Sequence, residues 1–134
     1  MSAAELATEK CIAFTTYRKS GEAVTTPVWV APVSDGRLGF WTAMGSGKTK
    51  RLKNNPAVAV QPCSFTGKLK PGTSPVSGTA EMVQSGPLFD EVHQTVHKKY
   101  GFMTFLTKTI ATLTVMRKAG MTYADTVVLI RVEG

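Results

Sequence analysis

Through residue 83 the apolar and polar positions alternate in short runs, the period-two signature of strands, and a helical spacing takes over only after Gly86. Cys11-Ile-Ala-Phe-Thr-Thr-Tyr17 reads as a strand from its aromatic and β-branched content. Ala23 to Val33 reads as a second strand, rich in Val and Thr. Pro27 and Pro32 cannot donate to a ladder, so part of it belongs at an edge, a bulge or a ligand. Arg37 to Thr42 is a third, with Leu38, Phe40 and Thr42 on one face and Gly39 and Trp41 on the other. Ala57 to Ser64, Ser74 to Val83 and Thr126 to Val132 complete the set. Arg18 to Glu22 is a turn in which Gly21 is free to take positive φ, and Ser34-Asp-Gly36 is a hairpin turn.

Helices fill the gaps. Ser2 to Lys10 predicts a short one, with Ser2 as cap and Glu5 completing a capping box. Ser46 is a good N-cap for a helix of one or two turns that Asn54, Asn55 and Pro56 terminate. Gly86-Pro87 opens a third, with a stripe of Leu88 or Phe89, Val92 and Val96. A fourth pattern, over 102–118, puts Phe102, Leu106, Ile110 and Leu113 on one face and ends near Arg117-Lys-Ala-Gly120. Six strands at hairpin spacing, with a short helix between the third and fourth, predict a small antiparallel barrel, mainly β, with helices inserted late.

A chain of 134 residues, 43% apolar and 19% charged, is expected to be one globular domain, 1–134. No apolar run approaches the ~20 residues that span a bilayer, and no charged-then-apolar leader opens the chain. Cys11 and Cys63 are expected as buried thiols, and the location as cytoplasmic.

Charge is distributed unevenly. Between Gly36 and Ala80 there is no acidic residue but there are seven basic ones: Arg37, Lys48, Lys50, Arg51, Lys53, Lys68 and Lys70. The chain carries 16 basic and 9 acidic residues, so removing those seven leaves nine of each sign. A short basic helix between strands is commonly a solvated connector. This one concentrates the whole excess charge and presents an N-terminus with free N–H donors, which suits a phosphate.

Several chemistries are set aside. Gly47-Lys48-Thr49 ends like a nucleotide-binding phosphate loop, but the first glycine of that pattern falls at position 42, where the chain has Thr42. Gly45-Ser46-Gly47 lacks the form of a nucleophile elbow. His93 and His97 have helical metal spacing but no third ligand, so two surface histidines are expected and no metal. What remains is a phosphate-competent helix beside Trp41 and Thr42, in a barrel whose second strand carries Pro27 and Trp29. A flat aromatic cofactor with a phosphate suits that arrangement, although each tryptophan alone reads as core.

The order Arg18-Lys-Ser-Gly, Thr26-Pro-Val-Trp, Asp35-Gly, Trp41-Thr, Ser46-Gly-Lys-Thr-Lys-Arg-Leu, Asn55-Pro, Pro62-Cys and Gly78-Thr-Ala resembles the flavin/deazaflavin oxidoreductases. These belong to the pyridoxamine-phosphate-oxidase-like split β-barrel superfamily. Within it the chain is most similar to the actinobacterial branch that binds the deazaflavin coenzyme F420. The match covers roughly residues 10–83, and the closing strand fits as well.

The resemblance implies a six-stranded antiparallel split β-barrel with short helices, a homodimer, and two cofactor sites at the subunit interface. It places Thr26, Pro27, Val28 and Trp29 along the cofactor ring, largely through backbone, with Trp41 and Thr42 flanking ring and ribityl chain. Ser46, Lys48, Thr49 and Arg51 would hold the phosphate, and Lys50 or Lys53 would reach an anionic tail. A flavin-binding relative usually has a basic residue where Gly47 stands, which favours F420 over FMN.

The implied activity is hydride transfer from the reduced deazaflavin to a small unsaturated or conjugated substrate. The catalytic residues are unknown; Tyr17 and Tyr123 are candidate proton donors. Tyr100, Phe102, Met103 and Phe105 could cover the ring as a lid, or pack to close the barrel. The alternative is a non-catalytic binder of FMN, a deazaflavin or haem on the same fold. A single-strand nucleic-acid module fits the pI near 9.7, but aromatic residues are few on the basic strands. Membrane-surface contact by the basic stretch from Val92 to Ala124 is the remaining possibility, with burial of its apolar face the simpler account.

Overall fold

The computed structural model describes residues 1–100 and 125–133. Its elements run α1 (Ala3–Ala7), β1 (Ile12–Tyr17), β2 (Ala23–Val28), β3 (Ala31–Pro32), β4 (Leu38–Thr42), α2 (Gly47–Asn54), β5 (Ala57–Pro62), β6 (Val76–Val83), α3 (Pro87–Tyr100) and β7 (Thr126–Val132). All strands pair antiparallel in one sheet of order β2-β1-β5-β6-β7-β4-β3.

The single strand expected over Ala23–Val33 is in fact two, so seven strands replace six. β2 forms one edge of the sheet and β3 the other, and only Trp29 and Val30 separate them in sequence. A chain can leave one edge and enter the opposite edge within two residues only if the sheet curls until its edges meet. The barrel is thus closed by chain connection rather than by a ladder. Pro27 and Pro32 lie on the two edge strands, where a missing donor costs no ladder bond.

Val30 has no strand partner for its backbone, and α3 supplies one. Its N–H donates to the Tyr100 hydroxyl at 3.0 Å, and its carbonyl accepts from Lys99 Nζ at 2.7 Å. The same ammonium donates to the carbonyls of Ala7 and Glu9 at 2.8 and 2.6 Å. The end of α3 therefore fastens α1, the lead-in to β1 and the edge crossing together.

Strand alternation sorts the apolar residues into two layers. Ile12, Phe14, Val28, Leu38, Phe40, Val58, Val60, Val128 and Ile130 fill the barrel, plugged by Leu6 of α1 and Leu52 of α2. Phe14 and Phe40 meet edge to face at 4.8 Å. Val127 and Leu129 point the other way, onto Val92, Val96 and Tyr100 of α3. β7 is covered on both faces, which is why its sequence is a continuous β-branched run. α3 approaches closely at Gly39, where an added Cβ would stand 2.7 Å from Val92 Cγ2.

Local expectations elsewhere are met. Ser2 and Glu5 form the capping box of α1, and Gly21 and Gly36 take φ of 93° and 89° in their turns. Leu88 and Phe89 both flank the buried Val92 and Val96. Cys11 and Cys63 are free and buried, side by side on adjacent strands with the Cys63 N–H donating to the Cys11 carbonyl at 3.2 Å. The helical pattern over 102–118, with Phe102, Met103 and Phe105, and also Tyr123, lies outside the described residues. Among the described residues no helix is long and apolar enough to cross a membrane.

Candidate functional site

The site begins with the local chemistry that starts α2. Ser46 sits in extended backbone, and its hydroxyl accepts the Thr49 N–H, satisfying one donor of the first turn. Thr49 is fully buried, and its hydroxyl donates back to the Ser46 carbonyl at 2.9 Å and accepts the Gly45 N–H at 3.0 Å. Thr42 stands 3.4 Å from Ser46 through their hydroxyls. Asp125, at the entrance to β7, accepts the Met44 N–H at 2.7 Å and so holds the loop before the helix. Asn55 terminates α2 by accepting the Ala57 N–H. Two turns of helix thus start from a rigid mouth at the end of β4.

Basic side chains converge on that mouth. Arg51 Nε donates to the hydroxyl of Thr16, a fully buried residue of β1, at 2.6 Å. This contact lays the guanidinium back over the first turn: a Cβ built on Gly47 would lie 2.7 Å from Arg51 Nη1. The space over the bare Cα of Gly47 is thus occupied by a guanidinium from one turn further on. Lys48 is half-buried, and forms no ion pair or hydrogen bond among the described residues. Burial and the neighbouring Arg51 hold its ammonium below the ordinary lysine value. Burial first, then Arg18 from the β1–β2 turn, pull the Arg51 guanidinium down as well. Arg18 is paired with Glu22 and Asp125 borders the loop, but among the described residues neither Lys48 nor Arg51 bonds a carboxylate, and an oxyanion would relieve their mutual repulsion.

The remaining basic excess resolves differently. Arg37 is bound by Asp35 and Glu81, and Lys70 by Glu9, so those two belong to structural ion pairs. Lys50 and Lys53 are exposed on α2.

The predicted ring strand shows one feature of its own. Thr26 Oγ1 is buried with no hydrogen-bond partner among the described residues, on the same sheet face as Phe14 and, two residues along, Thr16. An orphaned hydroxyl on the wall next to a cationic mouth fits a group that brings both hydrogen-bonding ring atoms and a phosphate. Pro27 faces outward, and Val28 is core.

The structure brings Thr42, Ser46, Lys48, Thr49 and Arg51 together, and does not bring the tryptophan side chains to them. Trp29 stacks on Tyr100 with centroids 4.6 Å apart and planes at 10°. Trp41 faces α3, where the rings of His93 and His97 lie 4.9 and 5.1 Å away. Of those histidines, both expected at the surface, His97 is exposed and His93 half-buried, and both rings lie against Trp41. Tyr100 is buried and doubly bonded, so it closes the barrel and is not a mobile cover. Thr16 and Asp125 were missed because each reaches the site across a large sequence separation with no local motif to mark it; Arg18 stood in the quoted Arg18-Lys-Ser-Gly run but was given no role at the site. Among the described residues no cluster of three metal-ligating side chains occurs.

Solved structures share this architecture. A conserved hypothetical protein from Mycobacterium tuberculosis superposes with a TM-score of 0.63 at 21% identity, over 98% of this chain and 79% of that one. An F420 reductase matches with a TM-score of 0.61 at 19% identity, over 99% of this chain and 94% of that one. A protein of unknown function from Agrobacterium tumefaciens matches at 0.59 and 21% identity over 96% of this chain; the chain spans only 51% of its length. At these identities the likeness establishes the fold. No curated protein matches the sequence. The family model described as pyridoxamine 5'-phosphate oxidase matches residues 2–130, nearly the whole chain, and on that ground the chain belongs to the pyridoxamine 5'-phosphate oxidase family.

Proposed function

We propose that the protein binds coenzyme F420 and acts as an oxidoreductase on a small unsaturated or conjugated organic substrate, with FMN as the alternative cofactor. The observation that carries this is the cationic mouth of α2, where Lys48 is half-buried without a partner among the described residues and Arg51 is fixed over the helix N-terminus. An anion bound there would offset the cost of holding the two neighbouring charges together. One structural neighbour is an F420 reductase, which supports the choice of cofactor. Exposed Lys50 and Lys53 on the same helix suit the oligoglutamate tail of F420.

Bound F420 would supply the hydride, so the chain need supply no nucleophile. Its own residues then have three tasks. Ser46, Lys48 and Arg51 hold the phosphate through hydroxyl, charges and helix N–H groups, while the buried Thr49, expected from the sequence as a phosphate ligand, braces the mouth through its bonds to Gly45 and Ser46. Thr26 through Trp29 and Thr42 hold the ring and its chain, with the Thr26 hydroxyl finding there the partner it lacks. The barrel wall behind them excludes water, which lets the substrate lie against the ring at reacting distance. Tyr17 is half-exposed at the end of β1 and is the candidate proton donor among the described residues. The reading includes a homodimer, in which the second subunit completes each site, and a cytoplasmic location, where the free thiols stay reduced.

The test is a fluorescence titration of F420, with FMN and haem run in parallel, alongside sedimentation to establish the dimer. Micromolar F420 binding with turnover of a conjugated substrate is expected. Tight cofactor binding without turnover on a broad substrate panel would favour the sequestering protein, and binding of none of the three would remove the reading.

A further inference from the structure

We propose that Thr16 and Gly47 form a seat for the Arg51 guanidinium, and that this seat sets affinity for the cofactor phosphate. The proposal rests on the F420 reading above and adds two positioning residues, neither of which touches the ligand by that reading.

An arginine on a short surface helix is ordinarily free to sample many rotamers. Its long side chain loses rotamer freedom when it grips an anion, and that loss subtracts from affinity unless the chain is already held. Here it is held from both ends. Thr16 lies in β1, fully buried, with its position fixed by pairing to β2, and its hydroxyl accepts Arg51 Nε at 2.6 Å. Using Nε in this way leaves the two terminal nitrogens for a ligand, the edge that grips an oxyanion bidentately. Gly47 provides the floor. A Cβ there would approach Nη1 at 2.7 Å, and Cζ and Nη2 both at 3.4 Å, so the guanidinium lies across the bare Cα. Its charged neighbours are Lys48 and Arg18, the latter paired with Glu22, and among the described residues no carboxylate bonds the Arg51 fork, so its terminal nitrogens are left to a ligand.

The seat makes an unusual demand on a variant. Gly47 has no positive φ, and the atom its Cβ would strike is the far end of a flexible side chain. Gly47→Ala therefore moves the guanidinium and leaves the backbone in place. Alanine also favours the helix, so the unliganded protein should be as stable or more stable while the ligand binds less tightly. Thr16→Val keeps the shape of a buried β-branched residue and removes only the acceptor. A purely structural role for either residue would lower stability and leave affinity alone.

The experiment measures F420 affinity and unfolding midpoint for Thr16→Val, Gly47→Ala, Arg51→Ala and the two double variants with Arg51→Ala. Each seat variant is expected to weaken binding roughly tenfold in the presence of Arg51 and to have no further effect in its absence. Thr16→Ser, which keeps the hydroxyl, should bind like the wild type, and it stands in should Thr16→Val not fold. Wild-type affinity in both seat variants, or equal losses with and without Arg51, would overturn the seat while the F420 reading stood. If F420 does not bind at all, that reading fails, and the seat is then tested by the Arg51 Nε–H nuclear resonance titrated with inorganic pyrophosphate. A shift seen in wild type and lost in Thr16→Val supports the seat; no shift in wild type overturns it.

Discussion

The Tyr100 hydroxyl accepts the N–H of Val30 at 3.0 Å, and the same hydroxyl donates to the Lys10 carbonyl at 2.6 Å. One side chain at the end of α3 thus satisfies the residue at which the chain crosses between the edges of the sheet. Val30 is wholly buried, so water cannot replace that partner. Tyr100→Phe keeps the stack on Trp29 and removes the oxygen, leaving a buried amide unpaired. The expected loss is about 1–3 kcal/mol, read from urea unfolding. A change below roughly 0.5 kcal/mol would mean the crossing is held by other contacts.

Gly39 tests the packing of α3 from the sheet side. Its bare Cα admits Val92, and an added Cβ would meet Val92 Cγ2 at 2.7 Å and Val33 Cγ2 at 3.1 Å. Both neighbours are buried, β-branched and stiff, so neither can swing away as a long side chain does. Gly39→Ala should cost about 1–3 kcal/mol of stability through overpacking. Thermal unfolding beside wild type measures it, and a variant of unchanged stability would show α3 to be loosely seated.

Lys48 and Arg51 separate stability from binding. Lys48→Ala or Arg51→Ala should weaken F420 binding by about 1–3 kcal/mol, the scale of a charge-assisted hydrogen bond. Lys48→Met should also raise the stability of the empty protein by roughly 1 kcal/mol, since a half-buried ammonium without a partner is replaced by an apolar chain. Unchanged affinity in both alanine variants would make α2 a solvated connector.

Alkaline pH should unfold the protein by a predictable route. Burial first, and the adjacent Cys63 second, push the Cys11 thiol from 9.0 up to about 12. Burial likewise pushes the Tyr100 phenol from 10.0 up to about 12. Both stay protonated in the folded chain at pH values where the unfolded chain has released them. Their contribution is therefore complete below pH 9 and is lost as pH climbs toward about 12. The slope reaches about 1.4 kcal/mol per pH unit for each group. Lys48 and Lys99, held below the ordinary 10.5 chiefly by burial, act with the opposite sign and favour the folded state as pH rises to that value. Cys11→Ala and Tyr100→Phe should each flatten the decline in chemical-denaturation series from pH 8 to 11. A profile that neither variant alters would exclude both groups as its source.

The amino-acid sequence by itself determined what is local in this protein. Period-two alternation located the strands, and β7 was read to the residue because both its faces are apolar. The Ser2 and Ser46 caps, the turn at Gly21 and the end of α2 at Pro56 were all legible, because each depends on backbone preferences within a few residues. The absence of acidic residues between Gly36 and Ala80 marked the stretch around α2 as the strongly cationic part of the chain.

The tertiary structure decided how distant residues divide that work. Only the curled sheet splits Ala23–Val33 into two opposite edges, since the cut at Val30 depends on Tyr100 and Lys99, some seventy residues away. Only folding separates Arg37 and Lys70, neutralised by Glu81 and Glu9, from Lys48, which has no ion pair among the described residues. And only the approach of β1 to α2 puts Thr16 under Arg51, converting a flexible basic residue into a fixed one. Hydrogen bonds and ion pairs act over a few ångströms of space, and contacts 35 or 44 residues apart in sequence leave no periodicity for a sequence to display.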